Sequence, residues 1–207
     1  MAAAIAKDRR GKKYDQVLSG ARRVFMADGF EGASVDAISK EAGVSKATLY
    51  SYFADKRRLF TEVACAECRQ QADRAVAEID LSAPVEQVLR SAAKHTVGFL
   101  VSDFAQSIYR VCVAEAARFP ELGAEFYDSG PKVVLDVLAP FLDMATDRGE
   151  LVVHDTKLAA FQFSALCKAE VFDKSVFGVQ RDFSQKELDA VIDGAVDMFM
   201  ARYGVRN

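Results

Sequence analysis

Prolines, cysteines and histidines are scarce in this sequence, and no apolar run is long. With only 4 prolines and 51% hydrophobic residues, a chain of 207 residues can fold around one large core or two smaller ones, so disorder is not expected. No apolar run approaches the roughly 20 residues that a membrane-spanning helix needs, and the first six residues are too few for a signal-peptide core. The sequence therefore predicts a cytoplasmic protein with no membrane partner.

The 4 cysteines and 2 histidines are too few and too scattered to indicate a metal site or a catalytic site. The cysteines stand among helix-forming residues, which is typical of reduced thiols rather than of a disulfide framework. Cys65 and Cys68 form one C-x-x-C pair with no second pair of ligands, which makes a poor metal site. His95 and His154 are far apart, and no phosphate-binding loop motif is present. We therefore expect no metal, no cofactor and no enzyme activity.

Charge is distributed unevenly along the chain, whose net charge is −3. Residues 1–60 hold 12 Lys and Arg against 7 Asp and Glu, whereas the remaining residues hold 15 against 23. Ordinary surface variation can produce such an asymmetry. The alternative is that only the first part of the chain meets a polyanion.

Hydrophobic periodicity predicts an all-α fold, with three short helices near the N-terminus. The first covers residues 15–27 and stops at Gly29. Ser34 caps a second helix that ends at Gly43, and Ser45 caps a third over residues 46–53. Because Gly43 supplies the positive φ of a three-residue turn, the last two helices form a helix-turn-helix pattern.

The third helix combines an apolar inner side with a polar and aromatic outer side. The outer residues are Lys46, Ala47, Thr48, Tyr50, Ser51 and Tyr52. Such a surface fits a DNA major groove, which is about 12 Å wide. Lys56, Arg57 and Arg58 follow and can neutralise the flanking phosphates. Half-buried tyrosines beside a solvated cationic surface are the other interpretation, but the turn, the caps and the charge asymmetry together favour DNA.

Residues 14–60 resemble the DNA-binding domain of the tetracycline-repressor (TetR) family. The resemblance is carried by Ala21-Arg-Arg-Val-Phe25, Asp28-Gly-Phe30, Ser34-Val-Asp-Ala-Ile38, Glu41-Ala-Gly-Val-Ser45, Thr48-Leu-Tyr50, Tyr52-Phe53 and Lys56-Arg-Arg-Leu-Phe60. It implies a homodimeric bacterial transcription regulator, commonly a repressor that a small-molecule effector releases from a palindromic double-stranded operator. The implied DNA contacts are Ser34, Val35, Ser45, Lys46, Ala47, Thr48, Tyr50, Ser51, Tyr52 and Lys56. Ala47 is a mild departure, because the family often has glycine there.

Residues 1–13 have no periodicity, which predicts a flexible basic arm. The resemblance implies that residues 14–60 are the helix-turn-helix domain and residues 61–207 a ligand-binding and dimerisation domain. The arm is either a solvated tail or an additional phosphate or minor-groove contact. Within the C-terminal part, residues 110–115 and 118–122 look like the AefR-like subgroup.

Helical spacing continues through the C-terminal part. A helix from 55 toward 78 and another from 85 are followed by predicted helices at about 103–118, 121–147, 155–177 and 184–203. The last two carry apolar stripes with further apolar residues beside them, so each can bury two faces, one of them against a partner chain. The predicted dimer interface consists of Phe161, Ala165, Phe172, Leu188, Val191, Ile192, Ala195 and Phe199.

A ligand cavity is expected between the middle helices. Its predicted lining is His95, Phe99, Phe104, Tyr109, Arg110, Phe126, Phe163 and Cys167, with His95, Arg110 or Glu115 as polar anchors for a hydrophobic molecule. Each aromatic residue can equally be ordinary core. A competing class of function is a helical small-molecule-binding protein, or an unrecognised enzyme, that does not act at DNA. Such a protein would keep its activity when Lys46, Tyr50, Tyr52 and Lys56 are substituted.

Overall fold

The computed structural model describes residues 11–205, which form eleven helices and one isolated antiparallel bridge between Leu151 and Gly204. The helices are α1 Lys12–Gly32, α2 Val35–Ala42, α3 Lys46–Tyr52, α4 Lys56–Glu78, α5 Val85–Leu100, α6 Asp103–Ala116, α7 Pro120–Ser129, α8 Pro131–Asp147, α9 Thr156–Leu166, α10 Val171–Val176 and α11 Gln185–Tyr203. The predicted all-α fold is confirmed. Residues 1–10 of the predicted basic arm lie outside the described residues, and Lys12 already belongs to α1.

Three predicted helix boundaries need correction. Gly29, with φ of 70°, breaks α1 as predicted, but helical residues resume and continue to Gly32. The single helix predicted at 121–147 is two helices, because Pro131 starts α8 and disfavours helical backbone at Gly130. The helix predicted at 155–177 is also divided, since α9 ends at Leu166 and Glu170 has a φ of 61° before α10 begins.

The helices group into two compact units. Among the described residues, unit 1 comprises 11–67 together with Val111–Phe126, and unit 2 comprises Cys68–Arg110 and 127–205. Unit 1 thus differs from the domain predicted at 14–60, because it also contains a stretch from the middle of the chain. Helices α4, α6 and α7 each contribute residues to both units.

Unit 2 has a continuous apolar core in which α11 packs against α5, and α9 against α8. Phe163 lies edge-on to Phe199 with ring centroids 5.3 Å apart, and both side chains are fully buried. Ile192 and Ala195 are buried in the same core. These two residues and Phe199 were predicted to face a partner chain. That prediction is wrong for these three residues, because their side of the helix packs inside its own protomer.

Among the described residues, no single helix is long and apolar enough to cross a membrane. The bent pair α5 and α6 has the length and composition of a span only when its two helices are taken together.

Candidate nucleic-acid interface

Helices α2 and α3 are fixed by their own caps and by the turn between them. Ser34 Oγ accepts a hydrogen bond from the Ala37 N–H at 3.1 Å, and Ser45 Oγ accepts one from the Thr48 N–H at 3.0 Å. Gly43, with φ of 65° and ψ of 34°, supplies the left-handed residue between them. The predicted helix-turn-helix is therefore formed with the residues expected to form it.

The inner side of this unit is held by apolar packing. Ile38, Leu49 and Phe53 are almost completely buried. Tyr14, which sequence analysis did not assign, stacks on Phe53 at 5.3 Å and meets the edge of Tyr52 at 5.6 Å. Tyr52 is thus partly packed and partly accessible, since its ring packs on Tyr14 while 40% of the residue stays exposed.

Gly20 is a second residue whose role sequence analysis missed. A β-carbon at Gly20 would lie 2.7 Å from the backbone nitrogen, Cα and Cβ of Ala42. Real contacts of this kind are longer, so α1 and α2 can approach this closely only because residue 20 has no side chain. The sequence feature that could have revealed this role is a glycine inside a helix, where glycine lowers helix stability by about 1 kcal/mol relative to alanine.

The outer side of α3 presents side chains that the protein leaves largely uncovered. Lys46, Ala47 and Ser51 are exposed, and 51% of Tyr50 is exposed. Lys46 Nζ pairs with Asp36 Oδ1 on α2, an ion pair in which both side chains are mostly solvent-exposed. Such an exposed pair contributes little to stability, so a phosphate or a base edge can compete for the ammonium. Ser34 is also exposed, whereas Val35 and Thr48 are half-buried.

Lys56 has a different environment from the one predicted. Its ammonium donates hydrogen bonds to the carbonyl oxygens of Phe30 at 2.8 Å and Ala33 at 3.0 Å, with that of Glu31 at 3.5 Å. The same ammonium lies 4.5 Å from the centroid of the Phe30 ring. The start of α4 is thereby fastened to the end of α1, and the three donors of the lysine are occupied inside unit 1.

Arg57 is likewise engaged inside unit 1. It donates to Glu115 at 3.3 Å and to Asp55 at 3.2 Å, and its guanidinium lies 4.2 Å from the centroid of Phe119. Glu115, considered as a ligand anchor from the sequence, is therefore occupied by this arginine. Asp55 Oδ1 also accepts the Arg58 N–H at 2.8 Å, as the capping residue of α4 would. Burial opposes ionisation of Asp55, but these hydrogen bonds outweigh it and lower the pKa of its carboxyl.

Arg58 completes the same set of contacts. Its Nη1 contacts both carboxylate oxygens of Glu125 at 2.6 Å, and its Nη2 donates to Glu62 at 3.0 Å. The hydrogen bond to Glu125 raises the pKa of the guanidinium. The consecutive cations therefore connect α4 to the 111–126 stretch and to the end of α1, rather than forming the free phosphate-binding cluster that the sequence suggested.

The predicted ligand-lining residues are dispersed. Phe163 and Cys167 are fully buried in the core of unit 2, and burial raises the pKa of the Cys167 thiol to about 12. His95 Nε2 lies 3.4 Å from Glu78 Oε2. Phe99, Phe104 and Tyr109 are half-buried in unit 2, where Tyr109 meets Phe172 edge-on at 5.0 Å. Arg110 is exposed, while Phe126 belongs to unit 1.

Comparison with known proteins identifies the family. The profile described as "AefR-like transcriptional repressor, C-terminal domain" matches residues 87–205, more than half of the chain. The profile for "Bacterial regulatory proteins, tetR family" matches residues 17–63. The chain belongs to the TetR family. The resemblance seen in the sequence is confirmed, including that of the C-terminal part.

Solved structures agree with this assignment. A TetR-family transcriptional regulator from Mesorhizobium loti superposes with a TM-score of 0.82 at 29% identity, covering 95% of this chain and 99% of that one. The flavonoid-responsive regulator FrrA is 32% identical with a TM-score of 0.72, covering 95% of this chain and all of FrrA.

Curated relatives match over a shorter region. The HTH-type transcriptional repressor AcnR of Corynebacterium diphtheriae is 32% identical over 83 residues, which is 40% of this TetR-family chain. The matched region spans 43% of AcnR, less than half of that relative's length.

Proposed function

We propose that this TetR-family chain is a ligand-responsive DNA-binding transcriptional regulator. It acts as a repressor that leaves a palindromic operator in the bacterial cytoplasm when a small apolar molecule binds. The observation that carries the proposal is the outer side of α3, where Lys46 and Tyr50 stand exposed on a helix whose opposite side is fixed in the core. A protein that did not act at DNA would have no use for this surface.

The DNA contacts follow from exposure and chemistry. Tyr50, Ser51 and Tyr52 can reach base edges in the major groove, while Ser34 and Ser45 offer hydroxyl groups to phosphates. Val35, Ala47 and Thr48 complete the surface with short side chains. Lys46 reaches either a guanine edge or a phosphate. We assign Lys56 to positioning α4 rather than to phosphate binding, because its donors already have carbonyl partners.

A second copy of the chain is the proposed partner. The side of α9 that faces away from the core carries Leu158, Phe161 and Ala165, and α11 carries Met198. Of these, Phe161 is 47% exposed and Met198 is 63% exposed, a degree of apolar exposure that dimerisation would remove. A two-fold dimer would place two recognition helices about 34–36 Å apart on one side of the DNA.

The proposed effector is a small apolar molecule bound among the aromatic residues of unit 2. The FrrA regulator, similar over nearly the whole chain, is flavonoid-responsive by name, which supports an aromatic or otherwise apolar class here. A coupling free energy of about 1–3 kcal/mol between effector and operator would suffice to release the DNA, and DNA would weaken effector binding equally.

A binding-site selection tests the proposal. The full chain is incubated with random double-stranded DNA, and bound duplexes are recovered and sequenced over several rounds. We expect enrichment of a palindrome whose half-sites are separated by about one helical turn of 10–10.5 bp or by a multiple of it. Absence of any enriched sequence would overturn the proposal.

A further inference from the structure

We propose that unit 2 contains a second ligand site, which binds a small organic acid carrying a hydroxyl group. The site is an open recess, named here the α6 recess, and its lining residues are Val101, Asp103, Gln106, Arg110, Ser175 and Arg181. It goes beyond the proposed function, because the effector proposed above is apolar whereas this lining is almost entirely polar.

Gln106 is the residue that most directly indicates a bound ligand. The residue is only 4% exposed, and its Nε2 donates to the Leu100 carbonyl oxygen at 2.6 Å. That bond fixes the orientation of the amide, since the reverse orientation would place two oxygens against each other. Oε1 is buried and has no hydrogen-bond partner within the described residues. A buried acceptor without a partner is destabilising, so a donor from water or from a ligand is expected there.

The charges around the recess indicate which other chemical group the ligand carries. Arg110 and Arg181 are exposed, and within the part of the chain that the structure describes neither has an ion pair. Asp103 is the one acidic lining residue, which leaves the lining with a net positive charge. The Ser175 hydroxyl already has a hydrogen-bond partner, because its Oγ donates to the Val171 carbonyl oxygen at 2.8 Å. The recess therefore offers two guanidinium groups for an anion and one amide oxygen for a donor.

A hydroxycarboxylic acid meets both requirements with one small molecule. Its carboxylate can pair with the guanidinium groups, and its hydroxyl can donate to Gln106 Oε1. The recess is partly open to solvent, and its enclosed part has room for about one water molecule, so a ligand of a few carbon atoms would insert its hydroxyl beside Gln106 and keep its carboxylate near the exposed arginines.

The test is calorimetric titration of the full chain, without DNA, with three matched four-carbon probes and inorganic phosphate. The probes are 3-hydroxybutyrate, butyrate, which lacks the hydroxyl, and 1,3-butanediol, which lacks the carboxylate. We expect 3-hydroxybutyrate to bind at least about tenfold more tightly than the other three, because only it satisfies both kinds of group.

Variants assign that preference to the recess. Gln106→Met should make 3-hydroxybutyrate and butyrate equal, and Arg181→Gln should weaken both acids without affecting the diol. Arg69→Gln, which removes an exposed arginine elsewhere in unit 2, is the control and should change nothing. If Gln106→Met fails to fold, Arg181→Gln still decides, since Arg181 is exposed and its removal leaves the core intact.

Three results would overturn the inference. The first is no saturable binding of any probe, which would mean that Gln106 Oε1 is satisfied by water. The second is equal affinity for 3-hydroxybutyrate and butyrate, and the third is equal affinity for phosphate, the behaviour of a non-specific anion site. None of them bears on operator binding, which the site selection measures separately.

Discussion

At the scale of single residues, the basic run at 56–58 shows the clearest difference between the role that the sequence suggests and the role in the structure. Three consecutive cations beside a helix-turn-helix suggest phosphate contacts. Each instead has an internal partner, Lys56 at the end of α1, Arg57 at Glu115 and Arg58 at Glu125. The distinction between a solvated cation and an internal one depends on residues about 25 to 70 positions away, which local spacing does not encode.

Lys56→Met gives the first prediction at this scale. Removing the ammonium should leave the carbonyl oxygens of Phe30 and Ala33 without their donor and reduce the free energy of unfolding by about 1–3 kcal/mol. Urea unfolding monitored by circular dichroism measures it. Lys40→Met, on the exposed side of α2, is the control and should stay within about 0.5 kcal/mol of the wild type. A fully stable Lys56→Met protein with a weaker salt dependence of DNA binding would restore the phosphate-contact interpretation.

At the scale of elements, the close approach of α1 and α2 positions the helix-turn-helix. Gly20 permits the approach because there is no space for a side chain between residue 20 and Ala42. Helices that pack through a glycine lose their geometry when a methyl group is inserted, and well-packed cores respond to such insertions with strain.

Gly20→Ala should therefore destabilise the protein by about 1–3 kcal/mol, although alanine is the better helix former. Gly98→Ala is the matched control, because Gly98 also lies inside a helix but an added β-carbon there meets no atom within 4 Å. It should stabilise the protein by about 0.5–1 kcal/mol. Thermal unfolding of both variants distinguishes the cases, and stabilisation by both would show that α1 and α2 have room to separate.

The sequence predicted these elements well where caps and turns are local. Ser34, Gly43 and Ser45 act through atoms three residues away, and their roles were read correctly. Prediction failed where the deciding contact is distant. The stripe of Ile192, Ala195 and Phe199 has the same spacing whether it faces its own protomer or a partner chain, and only the packing of unit 2 shows that it lies in the protomer's own core.

At the scale of the whole molecule, the proposed dimer depends on apolar residues that the protomer core does not use. Phe161 and Met198 are exposed on α9 and α11, while Phe199, next to Met198 in the sequence, is 1% exposed. The two neighbours on α11 should therefore respond differently to the same substitution.

Phe161→Asp and Met198→Asp should give folded monomers, because the introduced charge stays in water unless a partner covers it. Phe199→Asp should instead unfold the chain, since it places an unpaired charge in the core. Light scattering combined with circular dichroism separates these outcomes. Val113→Asp, at an exposed position outside the proposed interface, should remain a folded dimer. Persistence of the dimer in both Phe161→Asp and Met198→Asp would contradict the proposed interface.

The outer side of α3 is proposed to contact DNA, and salt titration of operator affinity is the decisive measurement of that contact. Lys46→Ala, Tyr50→Ala and the control Lys186→Ala are each measured on the selected operator and on a scrambled duplex. If Lys46 contacts a guanine edge, its variant should lose about 1–3 kcal/mol per half-site, mainly on the operator.

If Lys46 contacts only phosphate, its variant should lose affinity for both duplexes, and the salt slope should fall by about 2 for a symmetric dimer. Tyr50→Ala should weaken the operator more than the scrambled duplex in either case, and Lys186→Ala should change neither. Unchanged affinity and salt slope for both Lys46→Ala and Tyr50→Ala on both duplexes would mean that the outer side of α3 does not bind DNA.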